Sequence, residues 1–210
     1  MLDFGFYNMD CMDGMKEFPD KYFDLAIVDP PYGINITKSG RLGKYNSDTE
    51  WDKTIPDNSY FDELFRVSKN QIIWGGNYFD LPPNKCFLIW DKKQPQDISF
   101  ASCEYAWTSL DSVAKTFYLS PMNTGEHRIH TTQKPIALYE WILSRYAKDG
   151  DIILDTHVGS ASSLIACYNT NHKFVGFELD KHYYNLAKKR LDAEMAQMNL
   201  FDFGFNAYQE

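Results

Sequence analysis

Short apolar runs of strand length alternate along this chain with longer segments of helical spacing, and no other feature restricts its fold as much. Such alternation is the pattern of an α/β domain on a mostly parallel sheet. It predicts strands at Phe4–Asn8, Phe23–Val28, Gln71–Trp74, Cys86–Trp90, Tyr105–Thr108, Ala114–Tyr118, Asp151–Leu154 and Phe174–Phe177. Helices are predicted where capping residues meet apolar periodicity. One starts at Asp57/Asn58 and turns Phe61, Leu64 and Phe65 inward. A second has Pro135 in its first turn, buries Ile136, Tyr139, Ile142, Leu143 and Tyr146, and ends before Asp149-Gly150. A third runs from near Ser160 toward Asn169, and the last takes Asp180 as its cap, with Tyr183, Ala187, Leu191 and Met195 on one face. Two stretches break the pattern: Thr37–Pro56, polar and expected to be a mobile loop, and Ser120–Thr132. A chain of 210 residues suits one domain, here 1–198, followed by an aromatic tail at 199–210.

With 44% hydrophobic residues and 34 aromatic ones, the chain is not an intrinsically disordered one. The formal charge of −8 argues against coating nucleic acid through overall charge. The acids are unevenly spread, however. Residues 1–36 hold seven acids against two bases, and 48–63 hold six against one. Between them Lys38, Arg41 and Lys44 make a basic, glycine-containing cluster, which predicts a narrow contact face and salt-sensitive binding. Four cysteines (Cys11, Cys86, Cys103, Cys167) stand far apart, with no paired or histidine-linked spacing. They read as reduced thiols rather than a disulfide framework or a zinc site, and no metal is expected. The N-terminus lacks a basic start and a long apolar run, and no stretch approaches the ~20 residues of a membrane span. A soluble, cytoplasmic protein is therefore expected, with no membrane partner.

The strongest chemical signal is Asp29-Pro30-Pro31-Tyr32, directly after the strand Phe23–Val28. Open α/β sheets bind ligands outside the carboxyl ends of their strands. Two prolines stiffen the backbone there, so a carboxylate, a carbonyl and an aromatic face can be aimed at one point. Two acceptors can hold both hydrogens of an exocyclic amine and direct its lone pair at an electrophile. Tyr32 would then stack on the base. The plain alternative is a strand-ending turn.

With those residues in hand, the chain resembles the amino-group DNA methyltransferases that depend on S-adenosylmethionine, in the permuted arrangement that places Asp-Pro-Pro-Tyr before the cofactor loop. Four further segments carry the resemblance. Asn8-Met-Asp10-Cys11-Met-Asp-Gly-Met15 is similar to the opening stretch of the family and implies that Asp10 and Cys11 lie near the cofactor's adenine; the alternative for Asp10 is a helix cap. His130-Thr131-Thr132-Gln133-Lys134-Pro135 is close to the family's His-Pro-Thr-Gln-Lys-Pro, which implies Thr132 and Lys134 at the methionine end. Asp155-Thr-His157-Val-Gly159-Ser160-Ala-Ser-Ser163 is similar to the cofactor loop, although Thr156, His157 and Ala161 replace the usual Pro, Phe and Gly. Small residues opening a helix let a ligand approach backbone amides. Finally Glu178, about 20 residues on at a strand end, fits binding of ribose hydroxyls, with Asp180 as the helix cap.

The resemblance implies a Rossmann-like methyltransferase fold, twisted and mostly parallel, with helices on both faces. It implies S-adenosylmethionine as cofactor and double-stranded DNA as substrate, with the target flipped out of the duplex. Adenine N6 is implied over cytosine N4, since N4 members more often begin the element with Ser. Lys38, Arg41 and Lys44 are the DNA contacts expected first; Lys85, Lys92, Lys93, Lys115 and Arg128 are further candidates. The target-recognition segment, 120–132, is short, so specificity is short or shared with a second subunit. A restriction-modification or phage setting in a bacterial cell follows. Competing readings are a catalytically silent DNA-binding subunit with an altered cofactor loop, and a methyltransferase of RNA or protein. Neither a dinucleotide site nor a C5-cytosine enzyme fits, because Gly-x-Gly-x-x-Gly and a Pro-Cys nucleophile are both missing. Gln197-Met-Asn-Leu200-Phe201 resembles the pentapeptide by which bacterial proteins dock on the sliding clamp, an expected second partner.

Overall fold

The computed structural model describes residues 1–34, 52–95, 97 and 101–206, with 198–206 described as backbone. Among the described residues eight strands form one sheet: β1 (Gly5–Tyr7), β2 (Phe23–Val28), β3 (Ser68–Trp74), β4 (Phe87–Asp91), β5 (Cys103–Thr108), β6 (Lys115–Tyr118), β7 (Ile152–Asp155) and β8 (Lys173–Phe177). Their order is β1-β8-β7-β2-β3-β5-β4-β6. All neighbours are parallel except those of β5, which runs antiparallel to both β3 and β4. The carboxyl ends of the other seven strands therefore share one edge with the amino end of β5.

Alternation along the strands divides the core. On β2, Ala26 and Val28 pack with Tyr60, Phe61, Leu64 and Val67 of α2 (Asn58–Val67) and with Met15 of α1 (Cys11–Lys16). Leu25 and Ile27 face the opposite way, against Leu138, Tyr139, Ile142 and Leu143 of α3 (Ile136–Tyr146) and Ala166 and Cys167 of α4 (Ser162–Asn169). This is the two-residue period of a strand buried on both faces. The last helix, α5 (Lys181–Asn206), packs Ala187 and Leu191 against α4 and Phe6. Asp180 caps it, accepting from the amides of His182 at 2.8 Å and Tyr183 at 3.2 Å.

Several boundaries differ from those expected, each for a local reason. Strand β3 begins at Ser68, not Gln71, with no loop after α2. Its polar start is concealed in the sequence because Lys69 pairs with Asp24 at 2.6 Å and Asn70 donates to the Asp24 carbonyl at 3.2 Å. Pro135 lies outside α3 in extended backbone, and the first amide of that helix, Ile136, is capped at 2.9 Å by the distant Glu126. Helix α4 starts at Ser162 because Ala161 adopts left-handed backbone at φ 64°. Helix α5 continues through Asn206, so Gln197–Phe201 falls inside a helix rather than in a tail beyond it. The expected DNA contacts Lys38, Arg41 and Lys44 lie outside the described residues, as does most of the Thr37–Pro56 loop. Among the described residues no helix is long and apolar enough to cross a membrane, and no group of side chains is placed to hold a metal ion.

Candidate active site

A cavity of about 1020 Å³ opens at the carboxyl edge, between the loops that follow β1, β2, β7 and β8. That is the upper end of the ~300–1,000 Å³ usual for small-molecule sites. Asp10, Cys11, Asp29, Pro31, Thr132, Lys134, His157, Gly159, Ser160 and Glu178 all line it. The fold thus gathers five segments that are remote in sequence.

Asp29 directly follows β2 and presents its carboxylate at the cavity wall, with the Tyr32 hydroxyl on Oδ1 and the Lys134 ammonium on Oδ2. The turn is fixed by Asp52, whose Oδ1 accepts from the amides of Tyr32 and Gly33, both at 2.9 Å. Tyr32 does not line the cavity, and neither does the buried Pro30. The Tyr32 ring is stacked on Tyr78 instead, with centroids 4.9 Å apart and planes 11° from parallel. Tyr78 belongs to the turn Gly76–Tyr78 after β3, and Gly75 brings its backbone so close that a Cβ there would fall 2.1 Å from the Tyr32 ring.

The cofactor loop is held from behind. Asp155 is 3% exposed and does not reach the cavity. It accepts from the His157 amide at 2.9 Å and from the Ser163 hydroxyl, which ties the loop to the start of α4. The resemblance implies Asp155 among the cofactor-binding residues; in the structure its carboxylate is turned to the loop's own donors. Glu178 accepts from the amides of Gly159 and Asp180, both at 2.9 Å. A carboxylate has about four acceptor positions, so these amides do not fill it. Asp10 lines the cavity and also caps α1, accepting from the Met12 amide at 2.7 Å. His157 sits edge-on to Tyr60 at 5.4 Å, and its Nδ1 is 2.9 Å from the Thr156 hydroxyl. Thr132 folds onto His130, whose ring packs against Tyr183 at 4.2 Å. Arg190 donates to the Ser160 carbonyl at 2.7 Å and pairs with Glu126 at 2.6 Å, joining α5, the cofactor loop and the 120–132 segment.

Burial sets the protonation of this wall. It raises Asp155 to about 7 against the opposing hydrogen bonds of Ser163 and His157, and raises Glu178 to about 7 against its backbone donors. It lowers His130 to about 3 and His157 to about 4, so both imidazoles are neutral. It also lifts the Cys11 thiol to about 12, helped by Asp10, so Cys11 is no thiolate. A carboxyl raised in the folded state binds protons that the unfolded chain releases, so its contribution to stability is lost as pH rises from the ordinary carboxylate range to about 7. Replacing Glu178 by Gln removes that slope. The stability of the variant relative to the parent should therefore improve between pH 5 and 8, by on the order of 2–3 kcal/mol, and level off above the folded pKa. The two histidines act in the opposite sense and cancel in the difference. Urea unfolding of both proteins across that range checks it; parallel pH profiles would refute it.

Of the further basic candidates, Lys92 is 15% exposed and paired with Glu104 at 2.7 Å, so it is not a free DNA contact. Lys85 precedes β4 and Lys115 begins β6, both at the opposite edge from the cavity, and Lys85 pairs with Asp111 at 2.6 Å. Arg128 donates to the Thr131 carbonyl at 2.9 Å, within its own segment. Lys93, next to Lys92 after the carboxyl end of β4, is on the cavity edge, with its ammonium 4.8 Å from the Tyr118 ring centroid. Residues that sequence reasoning passed over include Asp52, Gly75, Tyr78 and Glu104. The Gly75-Gly76 pair directly after a strand was a usable turn signal; nothing in the sequence marks Asp52 or Glu104.

Comparison with known proteins agrees with this geometry. The family model described as DNA methylase, covering N6 and N4 methyltransferases, matches residues 73–189, more than half of the chain. The chain belongs to this family. Type II methyltransferase M2.DpnII of Streptococcus pneumoniae is 42% identical over 171 residues, covering 78% of this chain and 57% of that protein. Type II methyltransferase M.BglII of Bacillus subtilis is 25% identical over 255 residues, covering 93% and 71%. The chain thus spans little more than half the length of the first relative and about seven-tenths of the second. In structure, the M1.HpyAVI–SAM complex superposes with TM-score 0.61 at 22% identity, over 88% of this chain and 98% of that one. The PvuII DNA methyltransferase, described as cytosine-N4-specific, has TM-score 0.61 at 13% identity over 88% and 84%. These likenesses show the shared fold: an α/β domain whose sheet is mostly parallel, as expected.

Proposed function

We propose that the chain transfers a methyl group from S-adenosylmethionine to the exocyclic N6 amine of adenine in DNA. The observation that carries this is Asp29 directly after β2, facing one cavity together with the Gly159 loop and Glu178. The donor set fits the cofactor. Glu178 keeps acceptor positions for ribose hydroxyls, Asp10 and Cys11 line the adenine side, and Gly159 and Ser160 bring backbone close to the ligand. When bound, S-adenosylmethionine supplies a methyl group made electrophilic by its sulfonium. The protein's own part is positioning. Asp29 takes one amine hydrogen, and the Pro30 carbonyl, which does not line the cavity as the turn stands, takes the other once the turn opens, so the nitrogen lone pair faces the methyl carbon. The N–C bond would form as the sulfonium S–C bond breaks, the sulfur leaving as a neutral thioether and the proton shed by the nitrogen leaving by way of Asp29. Tyr32, already held parallel to Tyr78, offers its ring to the base once its hydroxyl leaves Asp29. The base reaches this site flipped out of the duplex. Lys38, Arg41 and Lys44, directly after the Asp29–Tyr32 element, hold the DNA backbone.

Cytosine N4 is the second reading, favoured by the cytosine-N4-specific enzyme among the structural neighbours. Asp rather than Ser at the head of the element supports adenine. Incubation with unmethylated DNA and methyl-labelled cofactor, followed by digestion and separation of nucleosides, should place the label on N6-methyladenine. Label on N4-methylcytosine alone would overturn the adenine reading. Cofactor binding with no labelled base on any DNA would mark a silent subunit.

A further inference from the structure

Lys134 lines the cavity as its motif implies, yet its ammonium is committed to acids outside that motif. Its side chain is 2% exposed and bridges two carboxylates, Asp29 and Glu104, the latter at 3.0 Å. Glu104 is in turn shared with Lys92 at 2.7 Å. The result is a continuous chain of alternating charge, Asp29–Lys134–Glu104–Lys92, that sums to zero. That neutrality lets it lie beneath the surface, since an unmatched buried charge is strongly destabilising. The tertiary fold alone builds it. Asp29 directly follows β2, Lys134 precedes α3, and Glu104 lies near the amino end of β5, the reversed strand, which is why it reaches the cavity edge.

We propose that Glu104 is a positioning residue for methyl transfer, holding the Lys134 ammonium in a shared position so that Asp29 keeps the orientation and the open lone pairs its amine-accepting role needs. The inference rests on the reading of Asp29 given above. An ammonium has three hydrogens to place. With Glu104 taking one, Lys134 touches Asp29 from one side; without it, the ammonium closes onto Asp29 and competes with the substrate amine. The other groups facing Lys134 cannot substitute for Glu104. The Tyr32 hydroxyl is 3.5 Å away, at the limit of a hydrogen bond, and Trp74 presents its ring at 5.3 Å. His130 is neutral, and Tyr139 is a phenol whose ionisation burial disfavours. Burial works against the charge on Lys134, but Asp29 and Glu104 together raise its pKa above the ordinary lysine value. Burial likewise opposes ionisation of Glu104, yet Lys134 and Lys92 hold it at about 2.

Glu104→Gln tests this. The expected result is a fall in kcat of about tenfold, unchanged affinity for S-adenosylmethionine by calorimetry, and an alkaline limb of the kcat–pH profile moved down by at least about one unit. Lys92→Met, which leaves Glu104 to Lys134 alone, should move that limb up. Titration of the Lys134 ammonium by lysine-Nζ NMR, assigned with Lys134→Met, should follow the same two directions without reference to activity. A folded Glu104→Gln protein with parental kcat and an unmoved limb would overturn the inference. Should that variant not fold, a Lys92→Met protein with unmoved limb and titration would do the same. Absence of methylation by the unaltered protein would instead overturn the reading of Asp29, with the ammonium titrations still reporting whether the charge chain exists.

Discussion

Asp29→Asn should abolish most methyl transfer, with kcat falling about 10²–10³-fold, while affinity for S-adenosylmethionine stays within about twofold. The amide keeps the shape of the carboxylate but replaces one acceptor with a donor, which repels an amine hydrogen instead of holding it. The cofactor wall is built from other segments, chiefly Gly159, Ser160 and Glu178, and does not depend on this side chain. Stability should drop by about 1–3 kcal/mol, because the buried Lys134 loses one of its two carboxylates while keeping Glu104. Single-turnover methylation, cofactor calorimetry and urea unfolding separate these effects. Parental kcat in this variant would remove Asp29 from the chemistry.

Gly75→Ala should be nearly as damaging, though the residue touches no ligand. Its φ of +70° lies in the left-handed region, and an added Cβ would stand 2.1 Å from Cε1 of Tyr32, far inside any real contact. Either the ring or the turn must give way. The ring is packed on Tyr78 and anchored through its hydroxyl to Asp29, so displacing it disturbs the Asp29 carboxylate directly. A fall in kcat of about 10²-fold is expected, from a shift of the order of 1 Å at the reacting groups. Gly150→Ala is the matching control. Its φ is +85°, but nothing lies within 4 Å of the new Cβ, so it pays the left-handed strain of about 1–2 kcal/mol and keeps its activity. Equal kcat values for the two variants would show that the Gly75–Tyr32 approach has no catalytic weight.

Much of this site was legible before the structure. Asp29 to Tyr32 stands out because two prolines and an aromatic ring follow a strand in a way few turns require, and the strand period places that element at the carboxyl edge. Gly159 and Glu178 were legible for the same reason: each sits at the end of a recognisable strand or the start of a helix. For Asp155 the sequence shows the place in the chain but not the partners. Sequence spacing shows that an acid ends a strand, and cannot show that Ser163 and His157 have already claimed it. Lys134 lines the cavity as its motif implies, but the ion pairs that hold it are not written in that motif. Its motif neighbours point to the cofactor, while its partners arrive from β2 and β5. Gln197–Phe201, expected beyond the last helix, lies within it, because the backbone continues as α5 through Asn206.

The division has a physical basis. Local chemistry, acting within a few residues, already decides the alternation of strands and helices, the Asp180 cap, the stiff Asp29–Tyr32 turn and the membership of each strand in a two-faced sheet. Those choices depend on periods and torsions that neighbouring residues set for one another. What a buried charge does depends on which opposite charge the topology brings within 3 Å, and no period in the sequence encodes that distance. The single reversal of β5 carries Glu104 to the cavity edge, Lys134 is drawn between it and Asp29, and Tyr78 comes to rest on Tyr32. Burial then makes these pairings consequential, because in a low-dielectric interior a polar group without its partner costs far more than the same group in water.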